Sequence, residues 1–133
     1  MSKRITVIGQ TSFLSKALQQ RPTSENWRYL GYDEALSQAD WMGKTDILIN
    51  CAYHPDFYSG AYSPIKDIDL MLAAYGKNHP MHYIMLSSRA IYGEAPADLI
   101  LREDHQPAPE TPYAKNKYAS EQALAKLDRK SVV

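Results

Sequence analysis

Ile5-Thr6-Val7-Ile8-Gly9-Gln10-Thr11-Ser12-Phe13-Leu14-Ser15-Lys16-Ala17-Leu18 is the stretch on which the fold turns. Its first four residues form a short β-branched run, the composition of a parallel strand buried on both faces. The run stops at Gly9, and the next residues read as a tight turn into a helix. A strand, a glycine turn and a helix N-terminus in that order present free backbone N–H groups. With the helix dipole behind them, these favour an anion.

A chain that opens this way has the pattern of a Rossmann-type α/β domain, whose first turn holds the pyrophosphate of a dinucleotide. Gly9, Thr11, Ser12, Phe13 and Leu14 are accordingly candidate cofactor-binding positions. In the spacing G-x-x-G-x-x-G only Gly9 is a glycine, and Ser12 and Ser15 hold the second and third places. The second glycine normally lets the backbone approach the pyrophosphate, and the third lets helix and strand pack closely. A serine at either place adds a Cβ and a hydroxyl where room is short, although the Ser12 hydroxyl could itself donate to a phosphate. Weakened and near-normal binding at this turn are both open.

Downstream, residues 27–32 read as the second strand, and Asp33 follows. An acid about 20 residues past the glycine turn is where ribose hydroxyls are held, which favours NAD over NADP. Asp33 can equally be the N-cap of a helix over residues 34–39, and both roles can hold. Residues 33–46 are few for a helix plus a third strand, so that edge of the sheet is expected to be trimmed. Residues 46–52 are the clearest strand, with Asn50, Cys51 and Ala52 at its carboxyl end flooring a cofactor cleft. Cys51 and His54 have the spacing of two metal ligands but no second pair, so no metal site is expected. Cys51 reads better as a small residue beside a nucleotide.

Ser63-Pro64 opens a helix as cap and first turn, with Ile65, Ile68, Met71, Leu72 and Tyr75 as a stripe for the core or a subunit interface, until residues 76–80 end it. The strand from His82 to Leu86 turns polar at Ser87 and Ser88, where it reaches the cleft. His79, His82 and His105 have no evident partners and read as solvated or loop histidines. Residues 94–112 carry Pro96, Pro107, Pro109 and Pro112 and are expected to be a loop covering the site. Thr111 then caps a helix with Pro112 in its first position, running to Leu127. Tyr113 and Lys117, four apart, share one face of it. Tyr62 and Lys66 have the same spacing, so the setting of Tyr113 matters more than the spacing. Ser131-Val132-Val133 looks like the start of another strand.

The totals narrow the function classes. The chain has 133 residues, 44% hydrophobic and 23% charged, which is one domain with a real core. Fifteen basic against fifteen acidic residues leave no net field to attract nucleic acid or an anionic membrane. The apolar run near the N-terminus is too brief for a signal peptide or membrane span. One cysteine excludes an internal disulfide, so a cytoplasmic protein is the simplest expectation.

In their order, these parts resemble the extended short-chain dehydrogenase/reductases, a family of nucleotide-sugar epimerases, dehydratases and reductases. The parts are the Gly9 turn, Asn50-Cys51-Ala52, the run Leu86-Ser87-Ser88-Arg89-Ala90-Ile91-Tyr92-Gly93, Glu103, and Tyr113 to Lys117 followed by Glu121. The resemblance implies that Ser88, five before Gly93, is the catalytic Ser/Thr, Tyr113 the acid/base and Lys117 its partner, with Ser87, Tyr113 and Lys117 also beside the cofactor. A tyrosine gives up its proton near pH 10, so to act as a base at neutral pH it needs about 4 kcal/mol of help. A lysine ammonium one helical turn away and a cationic nicotinamide ring supply such help by favouring phenolate. The read-outs of Ser88 as a strand-end hydroxyl and Tyr113 as a helix-start aromatic stand beside the catalytic ones.

The resemblance thus implies a Rossmann-type doubly wound parallel sheet over residues 1–133, binding NAD, with NADP as the alternative. It further implies oxidoreductase chemistry on a nucleotide sugar and a homodimer through helices 64–76 and 112–127. Ser63 and Lys66-Asp67 depart from the family's Asn and Gly-Thr. Family members are longer and add a C-terminal substrate domain, so the chain is expected to be the truncated cofactor-binding part. The rival readings are a non-catalytic dinucleotide-binding or regulatory module and a structural partner that binds no cofactor.

Overall fold

The computed structural model describes residues 3–21, 26–37, 44–75, 81–94, 100–102 and 104–127. Strands β1 (Ile5–Ile8), β2 (Trp27–Leu30), β3 (Ile47–Asn50) and β4 (His82–Met85) make one sheet, and every pairing in it is parallel. Its order is β2-β1-β3-β4. In register, Ile8 lies between Leu30 and Asn50, and Asn50 beside Met85, so the carboxyl ends of the strands align along one edge. Helices α1 (Phe13–Gln19), α2 (Tyr32–Ser37), α3 (Ile68–Tyr75) and α4 (Pro112–Leu127) complete the Rossmann-like arrangement. Among the described residues β2 is the outer strand on its side, and residues 38–43, part of the edge expected to be trimmed, lie outside them.

Three expected strands are shorter than the sequence suggests, β4 ending at Met85 before Ser87 and Ser88. β2 stops at Leu30 because the Gly31 carbonyl already accepts the Ala35 N–H at 2.9 Å, which starts α2. Gly31 rather than Asp33 is therefore the cap of α2, and its own N–H donates to Glu34 Oε1 at 3.3 Å. Asp33 lies within the first turn of that helix, exposed. β3 stops at Asn50, whose Oδ1 accepts the Ala52 N–H at 2.9 Å and bends the chain out of the sheet.

The helix expected from residue 64 is interrupted. Pro64–Lys66 form one 3₁₀ turn, Asp67 is extended, and α3 begins at Ile68. Asp67 is responsible: its Oδ1 accepts the Leu70 N–H at 3.0 Å and its carbonyl the Met71 N–H at 3.0 Å, so it caps α3. Ser63 makes no side-chain cap bond. Ile65, expected in the buried stripe, is 85% exposed.

One core lies between the sheet and α2, α3 and α4. Ile8, Leu30, Leu48, Tyr83 and Met85 from the strands meet Ala35, Leu72, Ala73 and Leu124 from the helices. At the opposite ends of the strands, the Thr6 and Thr45 hydroxyls satisfy one another at 2.7 Å inside the protein. The described part of the proline-studded stretch folds back on the 3₁₀ turn Arg89–Tyr92, where Ala108 N–H donates to the Ile91 carbonyl at 2.8 Å. His105, expected to lack a partner, accepts the Arg102 N–H on Nδ1 at 2.7 Å. Glu103, the expected helix stop at residues 76–80, the end of the predicted helix at residues 38 and 39, and the expected strand at Ser131 to Val133 lie outside the described residues.

Candidate active site

Strand order reverses at β1, since β2 pairs on one side of it and β3 on the other. In open parallel sheets the crevice outside such a switch point is where ligands bind. Here it lies between the Gly9 turn and the Cys51–Ala52 exit of β3. Gly9 has φ +92°, and a Cβ on it would stand 2.9 Å from Ala52 N and 3.0 Å from the Cys51 carbonyl carbon. Only glycine meets both conditions, because of the left-handed backbone and the close passage of the segment that leaves β3.

The two serines in place of glycines are accommodated differently. Ser12 is the N-cap of α1, and its Oγ accepts the Ser15 N–H at 3.2 Å. That bond uses a lone pair, and the hydroxyl is also within hydrogen-bonding reach of the Cys51 sulfur. Ser15 is fully buried at 0% exposure, with Gln19 Nε2 at 3.4 Å from its Oγ. A small side chain therefore fits where α1 packs. Phe13 points outward at 91% exposure, and Leu14 is exposed as well.

Two adjoining cavities occupy the crevice. One, of about 380 Å³, is lined by Gly9, Gln10, Thr11, Ser12, Gly31 and Tyr32. The other, of about 230 Å³, is lined by Asn50, Leu86, Ser87, Tyr113 and Lys117. Cys51, Ala52, Tyr53 and Tyr58 line both. Asp33, Phe13, Leu14 and Ser88 line neither. No described residue of the proline-studded loop is among their lining residues, and residues 95–99 and 103 of that loop lie outside the described residues.

α4 delivers the Tyr–Lys pair as its spacing predicts. Tyr113 is stacked on Tyr58, with centroids 5.3 Å apart and planes 8° from parallel, and stands edge-on to Tyr53 at 5.5 Å. Lys117 is only 7% exposed. Its Nζ donates to the Leu86 carbonyl at 2.7 Å and lies 4.3 Å over the Tyr53 ring. Burial lowers the Lys117 pKa, while Asp69 and Asp67 act to hold it up. The two serines after β4 divide: Ser87 donates to Glu121 Oε2 at 2.8 Å at the edge of the cleft, whereas Ser88 Oγ accepts the Ala90 N–H at 3.1 Å as cap of the next turn.

Beneath this pair lies a buried polar network. Asp69 Oδ1 accepts from Tyr83 Oη at 2.6 Å and from Asn50 Nδ2 at 2.9 Å. Asp67 accepts from Tyr62 Oη at 2.6 Å and Ser120 Oγ at 2.9 Å. Burial raises the Asp69 pKa, opposed by the bonds from Tyr83 and Asn50. Burial also pushes the Cys51 thiol up, opposed by a hydrogen bond from Ser12. His54 accepts the Asp56 N–H on Nδ1 at 3.1 Å as cap of the 3₁₀ turn Pro55–Tyr58.

Tyr53, Tyr58, Asn116 and the Asp67/Asp69 pair were not picked out from sequence. Asn116, 2% exposed, donates to the Phe57 and Gly60 carbonyls at 2.9 and 2.8 Å and so ties the aromatic loop to α4. The available signals were the density of aromatics over residues 53–62 and the position of Asn116 between Lys115 and Lys117, three residues after Tyr113.

The Gly9 turn lines one end of the crevice, and Tyr113 and Lys117 line the other. A parallel sheet with this crevice at its switch point defines a Rossmann-type nucleotide-binding domain. The chain belongs to the NAD dependent epimerase/dehydratase family, whose sequence profile matches residues 5–133. Solved structures agree in fold. A dTDP-4-dehydrorhamnose reductase from Bacillus anthracis in complex with NADP superposes with TM-score 0.73 at 21% identity, over 98% of this chain and 52% of that one. A UDP-N-acetylglucosamine 4-epimerase from Methanobrevibacter ruminantium, in complex with UDP-N-acetylmuramic acid, gives 0.69 at 23%, over 94% and 50%. A dTDP-glucose 4,6-dehydratase from Bacillus anthracis in complex with NAD gives 0.71 at 16%, over 97% and 52%. The chain thus spans about half the length of these structures. The sequence matches no curated protein.

Proposed function

We propose that this chain binds NAD, or alternatively NADP, in the crevice and provides the cofactor half of an oxidoreductase-type epimerase, dehydratase or reductase acting on a nucleotide sugar. The observation that carries this reading is the convergence of Tyr113, Lys117 and Ser87 on a cavity whose wall is shared with the Gly9 turn. The Gly9 and Ser12 turn would hold the pyrophosphate. Lys117 would meet the nicotinamide ribose, and Asp33 inclines the choice to NAD. Bound there, the dinucleotide supplies the hydride acceptor or donor. Tyr113 takes the proton of the sugar hydroxyl as the carbon gives up its hydride, and returns it in the reverse direction. The Lys117 ammonium favours the phenolate that results, and Ser88 would orient the hydroxyl.

Two observations favour the second reading, a dinucleotide-binding module without turnover. The Ser88 hydroxyl caps a turn and does not line the cavity, and the Lys117 ammonium is engaged by the Leu86 carbonyl. Calorimetric titration with NAD, NADH and NADPH separates the possibilities. Micromolar binding is expected, and no binding of any of the three would overturn both readings. Given binding, Tyr113→Phe should abolish turnover of a nucleotide sugar while leaving cofactor affinity intact. Binding without turnover on any nucleotide sugar assigns the module. The single cysteine suits a cytoplasmic setting for either.

A homodimer through segments 64–76 and 112–127 belongs to the same proposal. α3 and α4 pack side by side, and the exposed Ile65 beside them is an apolar side chain that a partner would cover. A monomeric mass by light scattering at tens of micromolar would overturn it.

A further inference from the structure

A buried ammonium normally requires a carboxylate partner, because removing its charge from water is costly. Lys117 is 7% exposed, yet no described carboxylate forms an ion pair with it. Two groups contact it: the Leu86 carbonyl oxygen at 2.7 Å and the face of the Tyr53 ring at 4.3 Å from the centroid. The other charged or titratable groups acting on it are Asp69, Asp67 and Cys51. Asp69 already accepts from Tyr83 and Asn50, and Asp67 from Tyr62 and Ser120.

The Tyr53 ring is fixed in place. It stands edge-on to Phe57 at 5.5 Å, Tyr58 at 5.4 Å and Tyr113 at 5.5 Å. The loop that carries Tyr53, Phe57 and Tyr58 is fastened to α4 by Asn116. The Tyr53 hydroxyl, by contrast, is buried with no hydrogen-bond partner among the described residues. A buried phenol without a bond is costly, so what Tyr53 contributes at this position is its ring.

We infer that Tyr53 is a positioning residue for Lys117, its π face standing in for a counter-ion so that the buried ammonium stays charged and aimed into the cleft beside Tyr113. The attraction is that of a cation for the negative face of an aromatic quadrupole, which is strengthened by exclusion of water. The hydroxyl has no part in it. The role of Lys117 in turnover rests on the function proposed above, but its protonation is measurable without cofactor or substrate.

The test follows the Lys117 ammonium by NMR of protein labelled at the lysine side chains, assigned by loss of the signal in Lys117→Arg. Tyr53→Phe keeps the face and removes the unpartnered hydroxyl, so the Lys117 titration should be unchanged and stability equal or higher. Ring-fluorinated phenylalanines at position 53 keep the shape while weakening the face, and Tyr53→Leu removes it. Along that series the proton affinity of Lys117 should fall stepwise, by about tenfold at the end. An unchanged titration across the fluorinated series overturns the inference, as does an equal fall in Tyr53→Phe. Because the fluorinated variants keep the packing, failure of Tyr53→Leu to fold does not remove the test. A stepwise fall in a chain that binds no dinucleotide would sustain the inference and sink the proposed function alone.

Discussion

The two loops that wall the crevice are built on different principles. The Gly9 turn is decided mainly by its own backbone, with only the Cys51–Ala52 segment pressed against it: a left-handed glycine, a serine cap three residues on, and a helix that starts at once. The aromatic loop after β3 is decided elsewhere. Asn116, 56 and 59 residues along the chain, holds two of its carbonyls, and Tyr113 of the same helix stacks on Tyr58. One wall is local stereochemistry and the other is tertiary contact, so the two should fail in different ways.

The largest effect is expected at the local wall. Gly9→Val places a β-branched side chain at φ +92° and within 3 Å of the Ala52 backbone, where nothing flexible can give. Strain and overpacking together should cost about 3–5 kcal/mol, read as a drop in the urea midpoint. A loss under about 1 kcal/mol would mean the turn relaxes, and the contrast between the walls would disappear.

Asn116→Ala should come next. It leaves two carbonyls without their donor and should cost about 2–3 kcal/mol, with faster hydrogen exchange confined to residues 54–62. Exchange that rises equally at the Gly9 turn would show the two walls to be one cooperative unit.

The smallest effect is a slope rather than a step. Burial raises the Asp69 pKa, so the folded chain retains a proton that the unfolded chain releases once pH passes the ordinary carboxylate value of 3.8. The unfolded state then binds fewer protons, and stability falls as pH rises from there. Asp46 and Asp56, both exposed and lowered by Arg4 and Lys66, bias the other way, losing their small contribution as pH falls through that range. Asp69→Asn keeps an acceptor for Tyr83 and Asn50 and isolates the buried term. The stability difference should move in favour of Asp69→Asn as pH rises from acid to neutral. A constant difference would show that Asp69 holds no extra proton in the fold.

Legibility follows the same division. β1, Gly9 and the capped run from Pro112 were readable because strand, turn and helix preferences act within a few residues. The break in the helix after Pro64 was not. The periodicity of Ile65, Ile68 and Leu72 suggested one helix, but Asp67 becomes a cap because Tyr62 and Ser120 hold its carboxylate in place. Ser12 looked like a defect in a glycine pattern and proves to be the α1 cap. That Tyr113 and Lys117 share a helical face was legible from their spacing, and both line one cavity. That Ser87 and not Ser88 lines the same cavity was not, because adjacent residues at a strand end diverge according to what each meets, Glu121 in one case and the Ala90 N–H in the other.

By itself the amino-acid sequence determined a parallel α/β domain with a left-handed glycine at the first turn and a tyrosine and lysine on one helical face, because these depend on backbone stereochemistry and side-chain periodicity over a turn or two. The tertiary structure alone decided what surrounds the lysine. Its carbonyl partner lies 31 residues away, its aromatic partner on a loop that α4 itself holds down, and the acids behind it are buried by strands and helices that meet only on folding. Charge, burial and distance among such remote groups are properties of packing, and no local pattern encodes them.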